Sequence, residues 1–171
     1  MKKFSILISG VLVFLFVFPT ISQAQDRYLV IPPSALKPVN YYMTDYKWHA
    51  TSTEFYFESG SVDTVIGTVP VYLPHGATVK KMYVVYMDWG IGTDEYIIVD
   101  LQRHDFATGA IQSMAHVDSE LTMIDPARRH LKDDVINHAQ IDWKYSYDLQ
   151  VKFFIATPWV KFHGAVIVYE E

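Results

Sequence analysis

The sequence contains no cysteine, and this absence excludes several chemistries at once. No disulfide can crosslink the fold, no thiol can act as a nucleophile, and no lipid can be attached through a cysteine. A domain of this length can bury a substantial core, so it does not depend on crosslinks for its stability. We expect one globular domain over residues 25–171.

Basic residues are also few, with 14 Lys and Arg against 19 Asp and Glu. A nucleic-acid ligand requires a basic stripe that neutralises phosphates, so nucleic acid is excluded as a partner. Catalytic motifs are missing too: the chain has no G-x-S-x-G, no H-x-H and no H-E-x-x-H. Glu54 and Glu58 would lie ~13 Å apart in an extended strand. Glycosidase pairs need ~5 to 9.5 Å, so this pair does not qualify, although carboxylates on different strands remain an alternative.

The first residues have the pattern of an export signal. Met1-Lys2-Lys3 is positively charged, Phe4 to Phe18 is apolar, and Ser22-Gln23-Ala24 places small residues at the cleavage site. The apolar run is shorter than the ~20 residues of a membrane-spanning helix. The sequence therefore predicts a cleaved signal peptide over residues 1–24 and a secreted or periplasmic domain without membrane contact.

Downstream of this signal the apolar residues recur with a period of two. In Tyr145 to Ala156 the residues Leu149, Val151 and Phe153 fall on one face, and polar residues alternate with them. Such a pattern is typical of a strand with one face in the core. Similar segments are Glu54 to Ser59, Val65 to Leu73, Thr78 to Trp89, Glu95 to Phe106, Ala110 to Asp118, Val135 to Trp143 and Val160 to Glu170.

These segments predict an all-β fold, a single antiparallel, jelly-roll-like β-sandwich of eight to nine strands. Tyr28 to Ile31 adds an edge strand that ends at Pro32-Pro33. At most one short helix is expected, over Pro126 to Lys132, because Asp125-Pro126 has the pattern of a helix start.

The register of one hairpin follows from the requirement that both strands bury their apolar sets. A three-residue loop, Ala107-Thr108-Gly109, pairs the odd-numbered, apolar residues of one strand with the odd-numbered, apolar residues of the other. It also supplies glycine where a positive φ is needed. This register places Phe106 opposite Ala110, His104 opposite Gln112, Gln102 opposite Met114 and Asp100 opposite His116.

The shared polar face of this hairpin is the predicted ligand surface. It contains Asp100, Gln102, His104, His116 and Asp118, with Gln112. Two His and two Asp are also suitable metal ligands, but their spacing is not that of a metal motif. A second ion-site candidate is the loop with Asp88, Asp94 and Glu95, whose carboxylates would suit calcium. We expect no cofactor, with calcium as the alternative.

Aromatic residues supply a further indication of function. Trp48 and Trp89 are predicted ligand-binding residues, because aromatic faces stack on the C–H groups of sugars. The alternative for most large aromatic residues is burial in the core.

A resemblance to known proteins rests on several short segments. They are Leu73-Pro74-His75-Gly76-Ala77-Thr78-Val79, a strand ending near Asp88, Val99-Asp100-Leu101-Gln102-Arg103, Tyr145-Ser146-Tyr147-Asp148-Leu149 and Phe162-His163-Gly164-Ala165-Val166-Ile167-Val168-Tyr169. This pattern resembles the β-sandwich modules of uncharacterised exported bacterial proteins and covers roughly Val65 to Tyr169. The resemblance implies the fold and the compartment, and it supplies no catalytic residues.

The sequence therefore predicts a secreted, non-enzymatic β-sandwich that acts in extracellular recognition or assembly, with a glycan or a protein as partner. The alternatives are a carbohydrate-active enzyme and a structural subunit of an extracellular assembly. Such a subunit would form homo-oligomers through an edge strand.

Overall fold

A computed structural model describes residues 25–39, 48–57, 64–89, 95–119, 125–154 and 157–171. The predicted signal peptide lies outside the described residues. The described part of the chain forms eleven strands: β1 (Arg27–Ile31), β2 (Lys37–Pro38), β3 (Trp48–Ala50), β4 (Phe55–Phe57), β5 (Val65–Pro70), β6 (Thr78–Asp88), β7 (Tyr96–Asp105), β8 (Ile111–Asp118), β9 (Asp125–Asp133), β10 (Tyr145–Phe154) and β11 (Val160–Glu170). A single 3-10 turn, Pro33–Ala35, separates β1 from β2.

The strands form two antiparallel sheets that pack face to face, which confirms the predicted all-β sandwich. One sheet has the order β3-β4-β11-β6-β9, with β1 also paired to β11, and the other has the order β2-β5-β10-β7-β8. Eleven strands exceed the predicted eight to nine, because β2, β3 and β9 lie outside the predicted set and one predicted strand, Val135 to Trp143, does not form. β2 and β3 have only two and three residues. The short length of these strands leaves no alternation to detect.

The core lies between the two sheets and contains the alternating residues predicted for β10. Leu149, Val151 and Phe153 are fully buried, whereas Gln150 and Lys152 between them lie half-buried on the outside. The predicted edge strand forms β1, and it pairs with β11 of the same chain.

The predicted helix over Pro126 to Lys132 is wrong, because this segment belongs to strand β9. β9 is the last strand of the six-stranded sheet and pairs with β6, opposite Met82 to Asp88. Pro126 has no N–H to donate, and an edge strand tolerates this loss. Hydrogen bonding to the edge of β6 therefore outweighs the local sequence signal for a helix.

The predicted strand over Val135 to Trp143 is also wrong. This segment is a loop with one isolated bridge, between Thr78 and Gln140. The chain reverses at His138, which has a positive φ of 52°. Its backbone groups bond to several partners: Asn137 donates to Met114, and Ile141 donates to Ala77. The segment therefore closes one end of the sandwich instead of adding a strand.

The β7–β8 hairpin matches the predicted register at Asp100 and departs from it nearer the turn. Asp100 lies opposite His116, and Gly109 has the predicted positive φ, at 70°. The backbone N–H of Asp105 bonds to Ala110, however, so the loop is one residue longer than predicted. The strand pairs near this turn are consequently shifted by one residue.

The longer loop is stabilised by its first side chain. The Asp105 carboxylate accepts the backbone N–H groups of Ala107 and Thr108, and these bonds lower the pKa of Asp105. The predicted pairs His104–Gln112 and Gln102–Met114 are replaced by His104–Ile111 and Gln102–Ser113. A β-bulge at Met114 then restores the predicted register at Asp100.

Candidate functional site

The outward side of the five-stranded sheet, here called the outer face, brings the predicted polar residues together. Its members are the alternate residues Lys37 of β2, Ile66, Thr68 and Pro70 of β5, Ser146, Asp148, Gln150, Lys152 and Phe154 of β10, Tyr96, Ile98, Asp100, Gln102 and His104 of β7, and Ile111, Ser113, His116 and Asp118 of β8. Five of the six polar residues predicted from the hairpin lie on this face. Gln112 does not, because the shifted register places it opposite Arg103.

Asp100 is the centre of one polar network on the outer face. Its Oδ1 lies 2.7 Å from Nδ1 of His116 and accepts the Ser113 hydroxyl at 3.4 Å. Its Oδ2 accepts Nζ of Lys152 at 3.3 Å. Asp100 is only 5% exposed although it belongs to an outward-facing set. These contacts compensate the carboxylate for its lost hydration.

Asp148 forms a second network beside the first. Its Oδ2 accepts the hydroxyl of Thr68 at 2.9 Å, and its Oδ1 lies 2.5 Å from Nε2 of His104. Asp148 and Lys152 come from β10, which the sequence placed on an outward face but not beside the hairpin. Only the pairing of β10 with β7 brings these residues to His104 and Asp100.

An aromatic pair lies at one end of the outer face. The rings of Tyr96 and Phe154 are stacked, with centroids 4.3 Å apart and planes inclined by 12°. Both side chains are half-buried. This pair adds an apolar surface at the end of a polar face.

The two predicted tryptophans lie away from these networks. Trp48 stacks on the core residue Phe55 in the six-stranded sheet, with ring centroids 5.7 Å apart. Trp89 follows the last residue of β6 and packs edge-on against Trp159, at 5.2 Å. The structure therefore does not unite Trp48 or Trp89 with the hairpin residues.

The predicted ion-binding loop is only partly described, because Asp94 lies outside the described residues. The Asp88 carboxylate is buried and accepts the hydroxyl of Ser119 at 3.0 Å. Glu95 accepts the hydroxyl of Thr157 at 3.4 Å. Over the described ranges no three acidic or histidine side chains converge as metal ligands.

A pocket of about 460 Å³, here called the end pocket, opens at one end of the sandwich. Three separate segments supply its walls: the chain after β5, the β7–β8 turn and the loop before β10. The lining residues are Pro70, Val71, Tyr72, Leu73, His75, Phe106, Ile141, Asp142, Trp143, Tyr145, Ser146 and Tyr147.

Three aromatic side chains of the end pocket are exposed to an unusual degree. Tyr72 is 83% exposed, Trp143 71% and Phe106 69%. Large apolar side chains grouped on a surface mark binding sites more often than isolated ones do. Nothing in the local sequence singles out Tyr72 or Phe106, because each follows a strand by itself and only the folded loops group them.

Backbone and side-chain hydrogen bonds fix the walls of the end pocket. Val71 donates to Tyr147, Gly76 to Ile141 and Phe106 to Lys144. The Tyr147 hydroxyl donates to the carbonyl of Asp142 and accepts the backbone N–H of the same residue. Burial raises the pKa of Tyr147, so its hydroxyl remains a donor. These bonds hold the backbone segments that form the pocket walls.

No protein-family model and no curated protein matches this sequence. Solved structures share its fold. One is a Clostridium thermocellum endo-1,4-β-D-xylanase, solved as its CBM22-1 and GH10 modules with xylohexaose. It aligns with a TM-score of 0.53 and 11% sequence identity, over 82% of this chain and 27% of that one. The xylan-binding module CBM15 aligns with a TM-score of 0.50 and 10% identity, over 84% of this chain and 97% of that one.

The present chain thus spans about a quarter of the xylanase structure and nearly all of the separate module. At these identities the similarity establishes a shared fold, the antiparallel β-sandwich found in carbohydrate-binding modules. Within the described residues no helix is long and apolar enough to cross a membrane.

Proposed function

We propose that this protein is a non-catalytic glycan-binding β-sandwich and that a sugar binds in the end pocket. The observation that carries the proposal is the grouping of Tyr72, Phe106 and Trp143 around one open cavity. Its volume of about 460 Å³ falls within the ~300–1,000 Å³ that is usual for small-molecule sites.

The chemistry of the pocket suits a carbohydrate. A sugar ring presents C–H groups on its faces and hydroxyl groups around its rim. The aromatic rings offer apolar surfaces for the C–H groups, and polar groups of His75, Asp142 and Ser146 lie in the same lining. An uncharged hydroxyl-bearing ligand is favoured, because the described residues of this lining include one acidic side chain, that of Asp142, and no Lys or Arg.

The same lining favours binding over hydrolysis. Glycosidases act with two carboxyl groups ~5 to 9.5 Å apart. Asp142 alone supplies a carboxylate among the described residues that line the end pocket. The fold similarity to CBM15, a xylan-binding module, agrees with a binding role and makes xylan the first polysaccharide to test.

Affinity electrophoresis in gels that contain soluble xylan, together with a glycan array, tests the proposal. We expect retarded migration of the wild type and loss of retardation for Trp143→Ala. Trp89→Ala is the matched control, because Trp89 is also an exposed tryptophan but follows the opposite end of β6. Loss of binding in Trp89→Ala with retention in Trp143→Ala would move the site to Trp89. No binding to xylan or to any arrayed glycan would refute the function.

Export is part of the proposal, since a polysaccharide ligand is met outside the cytoplasm. The predicted cleavage site after Ala24 implies an exported product that begins at Gln25. Mass analysis of the exported fraction tests this, and a product that retains Met1 would contradict it.

A further inference from the structure

The end pocket and the outer face share part of their surface. Pro70 and Ser146 both line the end pocket, and both belong to the outward set of their strands. Pro70 pairs with Asp148, and Ser146 pairs with His104. The pocket therefore opens directly onto the Asp148 network.

We propose that the outer face continues the sugar site, so that a linear, uncharged polysaccharide enters the end pocket and runs along β10 to the Tyr96–Phe154 stack. This inference rests on the proposed function, because it assumes that a glycan occupies the end pocket. It assigns a binding role to Gln150, Gln102 and Phe154.

The length of the track follows from strand geometry. Ser146 and Phe154 mark its ends on β10 and are eight positions apart. At ~3.3 Å per residue, this separation corresponds to ~26 Å. A single sugar ring cannot span that distance, so the track is suited to a chain of several sugar units.

The middle of the track offers hydrogen-bonding groups that the described residues leave available to a ligand. Gln150 and Gln102 are half-buried on adjacent central strands, and within the described chain neither amide has a hydrogen-bond partner. An amide can both donate to and accept from a hydroxyl group. The carboxylates of Asp100 and Asp148 are held by their own contacts and keep further acceptor capacity.

The charges of the track agree with an uncharged ligand. Asp100 and Asp148 are each in contact with a basic or titratable partner, Lys152 and His116 for the first and His104 for the second. The face also holds Asp118 and, on β2, Lys37 beside Thr68, so its described members carry three carboxylates against two ammonium groups. With an excess of one negative charge, the face offers little to a polyanion or a polycation.

The stacked rings at the far end give the chain a second apolar contact. Tyr96 and Phe154 form one continuous aromatic surface, since their planes are nearly parallel. Between this stack and the aromatic end pocket lie the polar residues. A linear glycan would thus meet aromatic surfaces at both ends and polar groups between them.

Isothermal titration with xylotriose, xylotetraose and xylohexaose tests the track. For the wild type we expect affinity to rise with chain length, by about tenfold or more between the trimer and the hexamer, which corresponds to ~1.4 kcal/mol. Phe154→Ala and Gln150→Ala should remove most of this gain and leave the trimer affinity unchanged. Trp143→Ala should weaken the binding of all three.

Tyr28→Ala is the matched control for Phe154→Ala, because Tyr28 is an exposed aromatic residue on the outward side of the other sheet. It should bind all three sugars as the wild type does. Equal affinities for the trimer and the hexamer, or a length gain that survives Phe154→Ala and Gln150→Ala, would overturn the track and leave the end pocket standing. No measurable binding of any xylo-oligosaccharide would overturn the track, while the glycan array decides separately on the end pocket.

Discussion

His116 and Asp100 lie directly opposite each other on β8 and β7, with Nδ1 of the histidine 2.7 Å from Oδ1 of the carboxylate. The contact would be ordinary on a solvated sheet, but Asp100 is almost fully buried there. The burial arises because neighbouring strands place Lys152 and Ser113 against the same carboxylate. Asp100 thus joins three strands on the outward side of the sheet.

Replacing Asp100 by Ala should lower the free energy of unfolding by ~1–3 kcal/mol, since its removal leaves the partners of a buried carboxylate unpaired. Urea denaturation followed by fluorescence measures the change. Asp134→Ala is the control: Asp134 pairs with Lys132 on an exposed surface, where such pairs contribute little. Equal midpoint shifts for the two variants would show that the Asp100 network does not stabilise the fold.

His163 should make stability depend on pH. Its Nδ1 lies 2.6 Å from the Thr53 carbonyl, and its Nε2 is buried without a partner among the described residues. Burial lowers the pKa of His163, so the unfolded chain takes up a proton more readily than the folded protein. This contribution to stability is complete above the unfolded pKa of ~6.5 and is lost as the pH falls toward the lowered folded value.

His163→Gln should therefore flatten the pH profile of stability below about pH 6.5. Thermal melts across this range measure the slope, and His130→Gln on the exposed side of β9 serves as the control. A slope in the His163 variant as steep as in the wild type would contradict the assignment.

Gly67 should tolerate no side chain while Leu36 is in place. A Cβ built on Gly67 would lie 2.7 Å from Cγ and Cδ2 of Leu36, which is itself buried. Gly67→Ala should cost ~1–3 kcal/mol of unfolding free energy through overpacking. The cost should shrink in a Leu36→Ala background, and a double-mutant cycle measures the coupling. Additive effects would show that the two residues do not clash.

Gly109 should be required for its backbone conformation alone. Its φ is 70°, and nothing lies within 4 Å of a Cβ built there, so a larger residue meets strain but no clash. Gly109→Val should cost more than ~1 kcal/mol in chemical denaturation. Gly109→Asn should cost less, because asparagine enters this conformation more easily. Equal losses of stability in Gly109→Val and Gly109→Asn would show that a side-chain contact, and not the backbone conformation, requires glycine here.

Much of the fold follows from local alternation. The spacing of Leu149, Val151 and Phe153 predicts that they face the core, and all three are fully buried. The pairing of Asp100 with His116 follows from the requirement that the apolar residues of both hairpin strands lie on the same face. Nearer the turn the strand pairs differ from the predicted ones, because the Asp105 carboxylate favours a longer loop and a bulge at Met114 absorbs the extra residue.

The wrong helix and the wrong strand share one physical cause: residues far away in the sequence offer hydrogen bonds that compete with the locally favoured structure. The segment after Asp125 had a helix start but no buried helical face, and the edge of β6 offered it backbone hydrogen bonds. Val135 to Trp143 alternated like a strand, yet its backbone groups found partners at Ala77, Val79 and Met114. Neither set of partners is visible in the local pattern.

The sequence by itself determined the all-β class, the buried face of the long strands and the contents of the hairpin's polar face, because a period of two is a property of each strand alone. Only the tertiary structure decided which strands became neighbours. It placed Asp148 beside His104, and it grouped Tyr72, Phe106 and Trp143 in one pocket. Such groupings depend on pairings between residues far apart in the chain, which local spacing does not encode.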